Sequence, residues 1–125
     1  TMHAETYAEA ATAFLGMVVQ GKVQAAYDQF VGGHFRHHNP YFPGDRQSLL
    51  LAMQQSAERE PNKSFDVQRI VASGDHVVVH SRLTRHDGSE YAVVHIFRFE
   101  HGRIVELWDL AQAVPEDSPN QFGMF

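Results

Sequence analysis

The sequence predicts a single α+β domain in which N-terminal helices pack on a curved antiparallel sheet. Three observations carry this reading. Apolar side chains recur every three or four positions in the first half, alternate every second position in the rest, and the alternating part is cut by short glycine-bearing turns. Helices first and a strand meander afterwards give segregated layers instead of crossover units. With 125 residues, the chain suits one hydrophobic core, since domains commonly hold roughly 100 to 150 residues. One unit over residues 2–125 is expected, Thr1 being read as an addition ahead of a start Met2.

From about Glu5 to Val19, Tyr7, Ala11, Phe14, Leu15 and Val18 line one side of a predicted amphipathic helix, and Gly21 ends it. A shorter helix is expected from Lys22 to Phe30, stopped by Gly32-Gly33. The stretch from His34 to Gly44 reads as a loop, because Asn39-Pro40 and Pro43-Gly44 favour extended or turn backbone. Asp45 can cap a third helix over Arg46 to Glu60, which presents Leu49, Leu50, Met53 and Ala57 inward and ends at Pro61-Asn62. Four strands follow, near Phe65–Val71, His76–Arg85, Tyr91–Glu100 and Arg103–Ala113. Gly74, Gly88 and Gly102 sit in the short turns between them, so neighbours should run antiparallel.

Composition excludes several classes of function. A formal charge of −5 and the absence of a basic run argue against nucleic acid. No apolar run approaches the roughly 20 residues that span a bilayer, and no basic-then-apolar leader opens the chain, so a soluble cytoplasmic protein is expected. With no cysteine there can be no disulfide and no thiolate nucleophile. His34, His37, His38, His80 and His95 raise the question of a metal, but H-E-x-x-H and related spacings are missing, so no metal is expected. Glycine-rich phosphate loops and G-x-S-x-G are also missing, and no organic cofactor is expected.

Strand parity singles out a few polar groups. His95 shares a face with Val93, Phe97 and Phe99, and Asp109 shares one with Val105, Leu107 and Ala111. Parity alone leaves open which set faces the helices. If His80, His95 and Asp109 lie under them, each puts one ionisable group into an apolar wall, the usual make-up of a small-molecule site. Val77, Val79, Leu83, Ile96, Trp108 and Leu110 would then form a second apolar face, one that a second subunit would cover. His95 and Asp109 on adjacent strands would titrate as a coupled pair, the carboxylate raising the imidazole pKa if pairing outweighs burial.

Three motifs carry a family resemblance. His37-His-Asn-Pro-Tyr-Phe-Pro-Gly-Asp-Arg, Gly74-Asp-His-Val-Val-Val-His-Ser and Ile96-Phe-Arg-Phe-Glu-His-Gly-Arg-Ile-Val-Glu-Leu-Trp-Asp resemble the SnoaL-like proteins of the NTF2-like superfamily. The likeness extends over nearly the whole chain, the tail from Pro115 to Phe125 included. It implies a cone-shaped barrel with a deep pocket, usually dimeric through the outer sheet face. In SnoaL-type cyclases the Asp of the Trp-Asp motif is the acid and base of an aldol closure, a position matched by Asp109. His38 of the His-Asn-Pro motif and His80 before Ser81 match positions expected near the pocket. His95 departs from the family, where Asp often precedes Ile-Phe-Arg. The limonene-epoxide-hydrolase variant needs Arg-x-Asp, whereas Arg82 is followed by Leu83-Thr84.

The resemblance and the residues together imply proton transfer next to a carbonyl, as in an isomerase, an aldol-type cyclase or a related lyase, on a small apolar or aromatic substrate. Asp109 would be the base and acid and His95 its partner. His38, Asn39 and His80 would offer hydrogen bonds to the developing enolate oxygen, with Phe97, Phe99 and Leu107 as apolar wall. A homodimer is the expected assembly. The alternative is a non-catalytic ligand-binding domain of the same shape.

Overall fold

A computed structural model describes residues 4–62 and 64–125, so the expected start at Met2 lies outside the described residues. The elements run α1 (Ala4–Val19), α2 (Val23–Phe30), β1 (Val31–His37), α3 (Arg46–Arg59), β2 (Ser64–Ser73), β3 (His76–Thr84), β4 (Glu90–Glu100) and β5 (Arg103–Ala113). The strands form one curved sheet in the order β1-β5-β4-β3-β2. It is antiparallel except where β1 runs parallel to β5. The sheet is open, with β1 and β2 at its edges, and does not close into a barrel. No helix of the described residues is long and apolar enough to cross a membrane.

The helices form where the apolar spacing places them. Ala11, Phe14 and Leu15 of α1 are buried together with Val23, Ala26 and Tyr27 of α2 and Leu49 and Leu50 of α3. They pack on Val77, Val79, Phe97, Phe99, Ile104 and Leu107 of the sheet. Aromatic contacts tie the layers: Tyr7 stacks on Phe99 at 4.3 Å, and Phe14 meets Phe97 edge-on at 6.0 Å. Asp45 caps α3 as expected, its carboxylate accepting from the Ser48 N–H at 2.9 Å and the Ser48 hydroxyl at 2.7 Å. Between β4 and β5, His101 and Gly102 take φ of 51° and 77°, the paired left-handed residues of a tight hairpin.

Three expectations are corrected. The segment expected as a turn and loop after Phe30 contains β1, which pairs with β5 some seventy positions on; a parallel partner so distant leaves no local turn signal. A bulge lies between β4 and β5: Arg98 opposes Glu106 and Phe99 opposes Ile104, so Val105 is the extra residue. Parity is reset there, and Ile104 faces the core on the same side as Leu107. Thirdly, the helix-covered face of β3 holds Val77, Val79 and Ser81, all fully buried. Val79 opposes His95 while His80 opposes Val94, and opposed residues share a face. His80 therefore lies on the outer face, away from the helices.

The C-terminal end of the chain meets that outer face, where Arg69 also donates to the Phe125 carbonyl oxygen at 3.4 Å. Phe125 stacks on His80 at 5.9 Å beneath the Arg82 guanidinium, 4.9 Å from its ring centre, and Met124 is half-buried. Phe122, three positions before Phe125, stands in solvent at 84% exposure.

Candidate functional site

A cavity of about 270 Å³ opens between the end of α1, α3 and the inner face of the sheet. Leu15 and Val18 of α1, Met53 of α3, Phe65 of β2, Leu83 of β3 and Val93 of β4 supply its apolar wall. Gln20, Ser56, Asn62, His95 and Asp109 are its polar members. Its volume sits just below the roughly 300–1,000 Å³ of drug-sized pockets, so it suits a small molecule.

The strands bring His95 and Asp109 together because they are direct cross-strand partners on the inner face. His95 Nε2 lies 3.6 Å from Asp109 Oδ1, an ionic approach longer than a hydrogen bond. The imidazole is packed between Phe65 and Phe97 at 6.3 and 6.0 Å, and only 8% of the residue is exposed. Burial holds it below the usual histidine range, and the Asp109 charge only partly opposes that. Of the two effects that the sequence leaves open at His95, burial is thus the larger, and the ring is neutral near pH 7. Its Nδ1 is buried with no hydrogen-bond partner among the described residues. The other carboxylate oxygen, Asp109 Oδ2, accepts from Asn39 Nδ2 at 3.1 Å.

The remaining candidates separate. His38 stands on the outer side, stacked on Trp108 at 4.9 Å, with Nε2 2.6 Å from Glu106 Oε2. With Asn39, Tyr41, Trp108 and Leu110 it borders a second hollow of about 400 Å³. Asp109 lines both hollows, so its carboxylate is at the partition between them. His80 lines neither, being engaged on the outer face by Arg69 and Phe125. Phe97, Phe99 and Leu107 are fully buried in the core behind the cavity and are not its wall.

Sequence reasoning missed Phe65, Leu83 and Val93 as wall residues, although Val93 shares the parity of His95. It also missed Glu106, buried in the outer face and bound by Arg36 at 2.9 Å, His38 at 2.6 Å and Arg98 at 2.9 Å. The Arg36 guanidinium above all, with His38 and Arg98, pulls its carboxyl down to about 2 against the opposing effect of burial. No pattern within β5 announces it, since two of the three partners come from β1 and the loop after it. Among the described residues, no group of three His, Cys, Asp or Glu side chains gathers to hold a metal ion.

An open sheet with three helices on one face and a cavity beneath them defines an α+β fold of the NTF2-like class. The SnoaL-like domain model matches residues 11–107, most of the chain, and the protein belongs to that family. No curated protein matches the sequence. Among solved structures, an NTF2-like protein of unknown function from Burkholderia xenovorans is similar at 20% identity and a TM-score of 0.75, covering 95% of this chain and 91% of its own. A putative ketosteroid isomerase from Kribbella flavida is similar at 16% identity and a TM-score of 0.73, with 94% and 86% covered. An LEH-like epoxide hydrolase from M. tuberculosis follows the same fold at 19% identity and a TM-score of 0.72, with 87% and 84% covered. At these identities the likeness is one of fold.

Proposed function

We propose that this SnoaL-like protein is an enzyme that moves a proton on the carbon next to a carbonyl of a small, largely apolar or aromatic substrate. The observation that carries the reading is the His95–Asp109 pair, 3.6 Å apart in the wall of an otherwise apolar cavity. A carboxylate there can take the proton and return it at another position, which is isomerisation, or leave the enolate to close a ring by aldol addition. Asn39 orients the far oxygen of that carboxylate. The match of Trp108-Asp109 to the acid and base motif of SnoaL-type cyclases supports this role. His38 is not a donor to the enolate in this reading, because Glu106 holds its Nε2. Epoxide hydrolysis is not favoured: Arg82 lacks the following Asp, lies on the outer face, and is bound to Glu90. We propose further that a second copy of the chain covers the outer sheet face.

The test is exchange of α-protons for deuterium in a panel of small aryl and cyclic ketones, followed by NMR in D2O. The parent should speed exchange on at least one ketone that it binds, and Asp109→Asn should lower that rate about 10²-fold or more while the ketone still binds. Binding with no exchange on any of them would make the protein a non-catalytic binding domain.

A further inference from the structure

We infer that His37, which lines neither hollow, is the positioning residue of the site: a single neutral tautomer of its ring holds Asn39 in place to bond Asp109. The inference rests on the reading of Asp109 as the working group of the cavity.

His37 is the last residue of β1, buried and stacked on Phe35 at 6.3 Å. Its Nε2 lies 2.6 Å from the Pro43 carbonyl oxygen. A carbonyl only accepts, so the ring proton is on Nε2. Its Nδ1 lies 3.1 Å from the Asn39 backbone nitrogen. An amide N–H only donates, so Nδ1 must be bare. Both nitrogens are thereby assigned without reference to pH. The imidazolium, or the other tautomer, would set N–H against N–H at residue 39. The backbone adds a third tie, with the His37 N–H donating to Gly44 O at 3.1 Å. One ring thus clips both ends of the loop that carries Asn39.

The clip decides which way the Asn39 amide points. Asn39 Oδ1 accepts the Tyr41 N–H at 3.0 Å, which leaves Nδ2 as the group at Asp109 Oδ2, 3.1 Å away. With Nδ1 unable to accept, residue 39 loses its anchor, and the short turn that presents its amide to the carboxylate is free to open. Asp109 would then keep only the longer approach to His95.

Three substitutions separate position from packing. Asn at position 37 puts an amide oxygen roughly where Nδ1 stands and keeps the acceptor; Gln puts an amide nitrogen roughly where Nε2 stands and keeps only the donor to Pro43; Phe keeps the ring and neither. The readout is the ¹⁵N spectrum of the imidazole and the solvent exchange of the Asn39 side-chain amide, both measured without substrate. The parent should show a neutral ring protonated at Nε2, and slow exchange at the Asn39 amide that Asp109→Ala abolishes. His37→Asn should keep that exchange slow, whereas His37→Gln and His37→Phe should speed it at least tenfold. Equal loss in the Asn and Gln variants, no change in the Phe variant, or a parent ring protonated at Nδ1 would overturn the inference. If the Phe variant does not fold, the parent tautomer and the Asn–Gln contrast still decide. A positive result beside absent ketone exchange would retire the catalytic reading and leave the clip standing.

Discussion

His95 and Asp109 face each other at 3.6 Å, and at that distance a carboxylate stabilises an imidazolium. Burial between Phe65 and Phe97 counts for more, so the ring is neutral in the folded protein. The pH dependence follows from this direction. The unfolded imidazole takes up a proton near its ordinary value of about 6.5, whereas the folded one resists. Between those two values the unfolded state binds the extra proton, so stability is intact above about pH 6.5 and falls as the pH drops below it, by at most about 1.4 kcal/mol per unit. His95→Gln should flatten this part of the melting-temperature curve relative to the parent. An NMR titration should place the His95 midpoint below 6.5, and lower still in Asp109→Asn, which removes the charge that raises it. A midpoint above the ordinary value in the parent would show that pairing wins after all.

At the scale of elements, α3 was the most legible. Its cap, its stop and its buried pair Leu49 and Leu50 are all local features, and the helix runs from Arg46 to Arg59 much as read. Since α3 also supplies Met53, Ser56 and Ala57 to the cavity, its seating bears on the site. Leu49→Ala should cost about 2 to 5 kcal/mol in urea unfolding, the usual loss for a buried leucine that leaves a void; a loss under about 1 kcal/mol would mean that the helix settles into the gap. β1 was not legible, because its alternation is broken by Gly32-Gly33 and its buried members include His37. Gly32 sits where an added Cβ would come within 3.4 Å of Arg103 and Val105 on β5, a closeness that only the partner strand explains. The bulge at Val105 was hidden for the same reason. A bulge is a relation between two strands, and one strand read alone shows only an apolar residue out of step.

For the molecule as a whole, the outer sheet face carries the groups that the cavity does not. Trp108 is stacked between His38 at 4.9 Å and His76 at 6.3 Å, Ile96 and Val94 lie beside it, and Leu110 is 58% exposed. Half-buried apolar side chains on the open side of a sheet fit the proposed second subunit. Sedimentation should show a dimer at micromolar concentration, and Trp108→Glu should shift it to monomer by setting a charge in the interface. A parent that sediments as a clean monomer would sink the proposal. Phe125 already covers His80 and the Arg82 guanidinium on this face, so a partner would meet the β5 side first.

By itself the sequence determined the order and kind of most elements, the hairpin turns, the cap of α3 and the shared facing of His95 with its apolar neighbours. All of these follow from spacing within one segment, where the periods of helix and strand differ and glycine marks the turns. The family resemblance added the class, because motifs such as Trp108-Asp109 recur at set places in it. Only the tertiary structure decided that His80 and His38 face outward, that Phe97, Phe99 and Leu107 are core, and that Asp109 is held by Asn39 from the far end of β1. Facing depends on register between strands, and register is set by the sum of buried contacts across the sheet, to which no single strand holds the answer. The neutrality of His95 was decided there too, since the desolvation that lowers its pKa comes from rings on β2 and β4 that only folding brings around it.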